Sequence, residues 1–118
     1  MVTEGNEQEP WATPVSSDAL IVGRVYFSLN YVDANMVTPV LDPWVFLGID
    51  LSPGDHGRVY FQDADSYAQG VRIESAKDSE ATLYVGSSGE VNHIFEFPNA
   101  VDELRRCAAR RKKHNLDM

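Results

Sequence analysis

Two short groups of residues have side chains that could carry out chemistry. Asp55 and His56 are adjacent in a polar loop, and a carboxylate beside an imidazole can act as an acid/base pair. Further along the chain, Asp63 and Asp65 form a D-x-D pair whose carboxylate oxygens are suitable ligands for a divalent cation. Either group needs further residues nearby to complete a catalytic or metal-binding site.

The rest of the sequence does not supply those residues in a recognisable pattern. It contains no G-x-S-x-G nucleophile motif, and its three histidines are not spaced as metal ligands. An EF-hand loop starting at Asp63 would need an oxygen ligand and then a glycine where Tyr67 and Ala68 stand. We therefore predict no catalytic residue, metal or cofactor, and we interpret the aspartates as turn-forming or solvated side chains.

Other polar features are assigned to structure rather than to ligand binding. The glycines match neither of the common phosphate-loop patterns. The basic residues Arg105-Arg106 and 110–113 lack interleaved aromatic residues and belong to an acidic protein, which favours a solvated helix end over a nucleic-acid site. The single cysteine, Cys107, cannot form an internal disulfide, so we interpret it as a packing residue and expect a reducing, cytoplasmic setting.

Aromatic and acidic residues give the strongest functional signal. The formal net charge is −8, and residues 1–98 hold 15 acidic and 4 basic side chains, whereas residues 99–118 hold 3 acidic and 6 basic ones. An acidic body attracts a basic partner, while tryptophan and tyrosine offer large contact areas at low entropic cost. The sequence therefore predicts a surface that binds a basic protein, formed by Asp55, His56, Tyr60, Asp63, Asp65 and Tyr67, with Trp44 and Tyr84 as further aromatic candidates.

A hairpin is predicted to carry four of these residues, Trp44, Asp55, His56 and Tyr60. Its strands are Trp44–Leu51 and Arg58–Gln62, and its loop contains Gly54 and Gly57, which can adopt positive φ at little steric cost. The first strand is apolar on both faces. It is therefore expected to be covered on both sides and to lie near the centre of a sheet.

The segments before this hairpin supply further sheet. Residues 25–31 alternate in the manner of a half-buried strand. Residues 36–41 are assigned to a sheet edge or a connection, because Pro39 and Pro43 lack an N–H that a central strand would use.

The segments after it predict a helical turn and a second hairpin. The turn lies within residues 64–70. Thr82–Gly86 and Val91–Phe97 have the composition of paired strands, with Gly89 expected at a positive φ in the turn between them.

The chain is predicted to close with a helix at about 99–113. Asn99 is a suitable N-cap because its side-chain oxygen can accept from an N–H of the first turn. Val101, Leu104 and Ala108 form a narrow apolar stripe, which predicts that one face of the helix packs on the sheet.

The predicted fold is α+β, a mostly antiparallel twisted sheet of about 5–6 strands with the C-terminal helix on one face. Residues 1–17 are interpreted as a mobile acidic arm and residues 18–118 as a single domain. The first ten residues lack the basic start and apolar stretch of a signal peptide, and no apolar run is long enough to span a bilayer. We expect no membrane or nucleic-acid partner and leave the oligomeric state open, a homodimer included.

Residues 44–106 resemble the second half of the SUKH superfamily. The resemblance rests on the order FLGIDL, a turn, RVYFQDADSY, a hairpin and IFEFPNAVDELRRC, in which Phe97, Val101 and Leu104 match the family's helix-docking phrase. Bacterial members are toxin-immunity proteins that act by binding. The resemblance therefore implies a bacterial, non-enzymatic immunity-type protein.

A small enzyme or ligand-binding domain is the alternative function. It would place a pocket under the 52–57 loop, with His56 and the carboxylates of residues 63–65 at its mouth. Geometry separates the two hypotheses. A pocket in which His56 meets Asp63 or Asp65 favours the alternative, and their separation favours protein binding.

Deleting residues 2–10 is expected to leave the melting temperature nearly unchanged, because the segment has neither the apolar period nor the turn residues of a sheet strand. Thermal unfolding followed by circular dichroism measures this. A fall of many degrees would show that the deleted residues belong to the folded core.

Overall fold

An antiparallel sheet of five strands organises the chain in the computed structural model, which describes residues 12–73 and 80–114. The strands are β1 Val25–Tyr31, β2 Pro39–Ile49, β3 Arg58–Asp63, β4 Leu83–Ser87 and β5 Ile94–Phe95, and the helices are α1 Ala64–Ala68 and α2 Phe97–Lys113. Spatially the strands run β4-β3-β2-β1-β5, and α2 packs against β1 and β5. The predicted α+β class is confirmed. Within the described ranges, no helix has the length and apolarity needed to cross a bilayer.

The predicted hairpin between β2 and β3 is confirmed, and β2 occupies the central position expected from its two apolar faces. Asp50 closes it, because its N–H donates to the carbonyl of Arg58 at 2.8 Å and its carboxylate accepts from the Arg58 N–H at 2.8 Å. Gly54 and Gly57 have φ of +84° and +73°, the conformations that the turn requires of them.

The first half of β2 confirms the assignment of its prolines to a sheet edge. Residues 39–43 pair with β1 only, since the pairing with β3 starts at Trp44 and Asp63. Pro39 and Pro43 therefore lie where β2 has a neighbouring strand on one side only. A proline is tolerated at such a position, because its missing N–H need not serve two neighbouring strands.

The second hairpin prediction is wrong. β4 pairs with β3 and β5 pairs with β1, so the two strands lie on opposite edges of the sheet. The connection between them crosses one face of the sheet, where Val91 is buried against Ile94 and other core residues. Gly89 lies in a 3₁₀ turn, Ser88–Glu90, and is not among the positive-φ glycines. Burial of these apolar residues across the sheet outweighs the local preference for a tight turn.

Both faces of the sheet are covered by apolar side chains. On the first face the cluster consists of Val15, Tyr26, Phe46, Val59, Phe61, Val91 and Ile94. On the second face, under α2, it consists of Ala12, Leu29, Phe95 and Ala100. β1 was expected to be half-buried, but Tyr26 and Leu29 are buried in different clusters, so both of its faces contribute to the core.

α2 begins earlier than predicted and buries a different face. Its N-cap is Glu96, whereas Asn99 uses its side-chain amide to donate to the carbonyl of Thr13 at 3.1 Å. The buried residues of α2 are Ala100, Glu103 and Cys107; of the predicted stripe, Leu104 and Val101 are half-buried and Ala108 is exposed. The predicted stripe differs from the buried face because that face includes the charged residue Glu103, and a prediction from apolar spacing leaves charged residues out.

Glu103 is fully buried, with 0% of its surface exposed, and accepts hydrogen bonds from three separate segments. Its carboxylate accepts from the Ala12 N–H at 2.7 Å, the Tyr31 hydroxyl at 2.6 Å and Arg110 Nη2 at 2.9 Å. Burial, and then the hydrogen bond to Glu103, raise the pKa of Tyr31 far above its usual value, so its hydroxyl stays a donor. We call Glu103, Tyr31, Arg110 and the Ala12 N–H the buried network.

The basic end of α2 is not simply solvated, as the sequence had suggested. Arg110 Nε donates to the carbonyl of Met36 and Arg111 Nη1 to that of Val37, each at 2.7 Å. These bonds attach the end of α2 to the loop between β1 and β2. Arginine can satisfy loop carbonyls in this way because its guanidinium has five donors in a fixed plane.

The described end of the predicted arm, residues 12–17, contacts the rest of the fold. Ala12 and Val15 are buried, and the Val15 N–H donates to the carbonyl of Ile94 at 2.8 Å. The sequence did not predict this packing, because Ala12 and Val15 are small apolar residues that belong to no helical or strand period. Residues 1–11, with Trp11, lie outside the described ranges.

Glu103→Ala is expected to lower the free energy of unfolding by about 3–5 kcal/mol, because it leaves the half-buried Arg110 without its carboxylate and two further donors without an acceptor. Urea denaturation measures the loss. Asp102→Ala is the control, since its ion pair with Arg106 is largely exposed and worth only about 0.5 kcal/mol. Similar losses in the two variants would mean that the buried network does not hold the helix in place.

Candidate functional site

The residues predicted to bind a partner are divided between the two ends of β3. Asp55 and His56 lie in the loop before this strand, and Asp63 and Asp65 lie at its far end and in α1. At about 3.3 Å per residue, the six residues from the loop to Asp63 span about 20 Å. The predicted surface is therefore two separate sites rather than one.

At the loop end, Asp55 is held by local hydrogen bonds. Its carboxylate accepts from the Tyr60 hydroxyl at 2.5 Å and the Ser52 N–H at 3.0 Å, and Arg58 Nε lies 3.6 Å away. The bond from Tyr60, followed by that from Ser52, lowers the pKa of Asp55. Tyr60 was predicted to contact a partner, but it is only 8% exposed because β3 buries it in the sheet, which leaves little of its surface for such a contact.

His56 lines a small cleft of about 260 Å³ together with Arg58, Val85, Gly86, Ser87 and Glu90. Glu90 serves a capping box, accepting from the Ser87 N–H at 3.4 Å. Neither Asp63 nor Asp65 lines this cleft. His56 and the carboxylates of residues 63–65, which the enzyme alternative places in one pocket, therefore do not share this cleft.

At the other end, Asp63 is the N-cap of α1. Its carboxylate accepts from the Ser66 N–H at 2.9 Å, the Ser66 hydroxyl at 2.7 Å and the Thr82 N–H at 2.7 Å. Burial opposes ionisation of Asp63, but these hydrogen bonds outweigh it and lower the pKa of the carboxyl group. Asp63 thus joins the start of α1 to the residue that precedes β4.

Asp63 also borders a second cleft, of about 310 Å³, which has an acidic and aromatic lining. We call it the acidic cleft, and its lining residues are Asp42, Pro43, Trp44, Asp63, Ala64, Asp65 and Thr82. Three carboxylates and no basic side chain line it. Its chemistry therefore suits a cationic group attached to a larger ligand.

Trp44 is fixed at the wall of the acidic cleft by the sheet. It pairs with Asp63 across the β2–β3 ladder and with Tyr26 across the β1–β2 ladder. Its indole Nε1 donates to the Ser28 hydroxyl at 2.9 Å, and its ring lies 5.9 Å from that of Tyr84. The half-buried ring is consequently held in one orientation, with its polar edge satisfied inside the sheet.

The three carboxylates of the acidic cleft do not form a metal centre. Among residues 12–73 and 80–114, no group of three or more His, Cys, Asp or Glu side chains is arranged to hold a metal ion. Two of the carboxylates accept hydrogen bonds within the fold. Asp63 accepts from Ser66 and Thr82, and Asp65 accepts from Gln69 Nε2 at 3.2 Å.

Tyr67, the last of the predicted residues, already has a cation on its ring. The guanidinium carbon of Arg72 lies 3.7 Å from the ring centroid, and Arg72 Nη1 donates to the Tyr67 carbonyl at 2.9 Å. Such stacking is a favourable cation–π contact. Tyr67 is half-buried, and its ring face is shared with a residue of its own chain.

Asp42 and Thr82 were missed as site residues. Asp42 directly follows residues 36–41, which were assigned to a sheet edge or a connection, and Thr82 lies in a strand of the incorrect hairpin. The register of the β2–β3 hairpin, counted back from the 52–57 loop, would have placed Trp44 near Asp63 and Asp42 just beyond them. No local signal predicts that Thr82 lies beside Asp63, because their contact depends on the pairing of β4.

Comparisons with protein-family models, curated proteins and solved structures give no significant match to this chain. The resemblance to the SUKH superfamily therefore stays an expectation drawn from the sequence.

Asp63→Asn is expected to make stability less dependent on acid pH. A carboxyl whose folded pKa lies below the unfolded value of about 3.9 stabilises the protein above that pH, and the contribution is lost as the pH falls through the folded pKa. The variant should be less stable than the wild type at pH 7 and should lose less on going to pH 3.

Urea unfolding at several pH values between 7 and 3 measures this difference. Asp65→Asn is the matched control, because it removes the same charge from α1 without touching the bonds to Ser66 and Thr82. If Asp63→Asn and Asp65→Asn have the same pH dependence, the hydrogen bonds of Asp63 are not the cause.

Proposed function

We propose that this chain is a non-enzymatic protein-binding domain that receives a basic segment of a partner protein in the acidic cleft. One observation carries the proposal: three acidic residues and the half-buried Trp44 line one cleft, and its lining has no basic side chain. Trp44 is the type of residue that dominates binding interfaces, and carboxylates around it select for a cationic partner.

The charge of the whole chain supports this choice of partner. Residues 1–98 hold 11 more acidic than basic side chains, so a basic protein approaches a negative field before it reaches the cleft. Within the cleft, a lysine or arginine side chain has carboxylates for its charge and an indole for its aliphatic part or guanidinium plane. Salt weakens the long-range part of this attraction, since the Debye length is about 10 Å at 0.1 M.

The separation of the predicted residues also supports binding over catalysis. His56 lies about 20 Å from the Asp63 end of β3. The carboxylates of Asp55 and Asp63 are each engaged in hydrogen bonds within the fold. In this proposal the partner is a basic toxin that the domain neutralises, as the SUKH resemblance implies for an immunity-type protein of the bacterial cytoplasm.

Neutralising Asp42 and Asp65 together, as Asp42→Asn with Asp65→Asn, is expected to weaken binding of a blocked octalysine peptide about fivefold. These two carboxylates are chosen because Asp63 is needed to cap α1. NMR titration at 50 mM salt gives both the affinity and the affected amides, which should surround Asp42, Trp44 and Asp65. At 300 mM salt the difference between wild type and variant should shrink.

Asp18→Asn combined with Asp102→Asn changes the net charge by the same amount away from the acidic cleft and is the control. Equal effects of the two double variants, or a peptide that perturbs amides elsewhere, would show that only overall charge attracts the peptide and would refute the cleft as the binding site.

A further inference from the structure

β4 is an edge strand of the sheet, and its outer side pairs with no other strand of the described residues. Its inner side is hydrogen-bonded to β3 in a regular antiparallel ladder. Bonds at the two ends of this ladder fix its pattern: the Ser88 N–H donates to the Gly57 carbonyl at 2.6 Å, and the Asp63 N–H to the Thr82 carbonyl at 3.0 Å. Antiparallel pairs alternate between bonded and non-bonded, so the bonded pairs can be counted from either end.

By this alternation, the backbone N–H and C=O groups of Tyr84 and Gly86 bond to β3. The N–H and C=O groups of Leu83 and Val85 therefore point away from β3, toward the outer edge. No residue of the described ranges bonds to these outward groups. The side chains of Leu83 and Val85 are 43% and 37% exposed. β4 thus offers two pairs of backbone donors and acceptors with apolar side chains beside them.

β4 lacks the features that usually protect such an edge. It has no charged residue and no proline, and its register with β3 runs without a bulge from Leu83 to Ser87. Proteins commonly use lysine, proline or a bulge to prevent a further strand from pairing at an exposed edge. An unprotected edge is a template for an added strand.

The open edge of β4 begins at the acidic cleft. Thr82, the residue directly before β4, lines that cleft with Asp63 and Asp65. A chain paired with Leu83 and Val85 and continued past Thr82 would bring its next side chains to these carboxylates. Backbone pairing and charge recognition would then act on one continuous segment.

We infer that the partner segment binds as a sixth strand on the open edge of β4, with its basic residues in the acidic cleft. The occupant is an extended basic peptide segment of another protein. This inference rests on the proposed function and adds the way in which the partner is held. A second copy of this chain fits the same edge less well, because each copy has a net charge of −8 and the two would repel.

The test uses a blocked peptide of sequence KKTVTVKK and the same peptide with N-methyl groups on its four central amides. Methylation removes the backbone donors and hinders pairing but keeps the charge. We expect the unmethylated peptide to bind at least about tenfold more tightly in an NMR titration, since two or more backbone hydrogen bonds are at stake. It should also slow hydrogen exchange at the amides of Leu83 and Val85.

Variants of β4 give the matching result on the protein side. Val85→Pro removes an outward N–H and should lower the affinity for the unmethylated peptide to that of the methylated one. Val85→Thr keeps the N–H and should bind within about twofold of wild type. Melting temperatures report whether the proline variant is folded; if it is not, the comparison of the two peptides still decides.

The outcomes separate this inference from the proposed function. Equal binding of both peptides, reduced in Asp42→Asn with Asp65→Asn, would refute strand addition and leave the acidic cleft as the binding site. If neither peptide binds, both the strand addition at β4 and the proposed function of the acidic cleft are refuted. Protection of the Leu83 and Val85 amides that rises with protein concentration, without peptide, would assign the edge to a second copy and overturn the inference.

Discussion

The burial of the Glu103 carboxylate is the constraint on which the rest of this structure depends. Removing an ionised group from water costs several kcal/mol, and the cost is offset only when hydrogen bonds and an opposite charge replace the solvent. Here the replacements come from Ala12, Tyr31 and Arg110, which belong to the N-terminal segment, β1 and α2. α2 can bury this face only when the other two segments are in place, so the three segments must assemble together.

This network also determines which part of the sheet is available. α2 and Ala12 cover the second face of the sheet at β1 and β5. The connection from β4 to β5 crosses the other face and places Val91 in the core. These elements leave the far edge of the sheet uncovered, where β3 pairs with β4 and contacts α1, and both clefts lie there.

The acidic residues of this edge serve two purposes that the sequence does not distinguish. Asp55 and Asp63 accept several hydrogen bonds within the fold, and those bonds lower the pKa of each group. Asp42 and Asp65 contribute charge at the cleft without holding an element together in the same way. All four carboxylates add to the negative field of the protein, because a hydrogen bond does not remove the charge of its acceptor.

The sequence by itself determined those features that depend on neighbouring residues. The hairpin of β2 and β3, the central place of β2 and the positive φ of Gly54 and Gly57 follow from apolar patterning and turn residues within about 20 positions. So did the α+β class and the existence, though not the buried face, of α2. Net charge is additive, so the acidic character of the chain was also available from a count of its residues.

Only the tertiary structure decided where non-local contacts form. The burial of Glu103 depends on Tyr31, which is 72 positions away, and on Arg110. The strands β4 and β5 were predicted to pair with each other, but each pairs with a different strand of the sheet. The acidic cleft arose in the same way, from the register that sets Trp44 against Asp63 and from the pairing that brings Thr82 beside them. Such contacts depend on the free energy of the whole packed core, which local spacing does not encode.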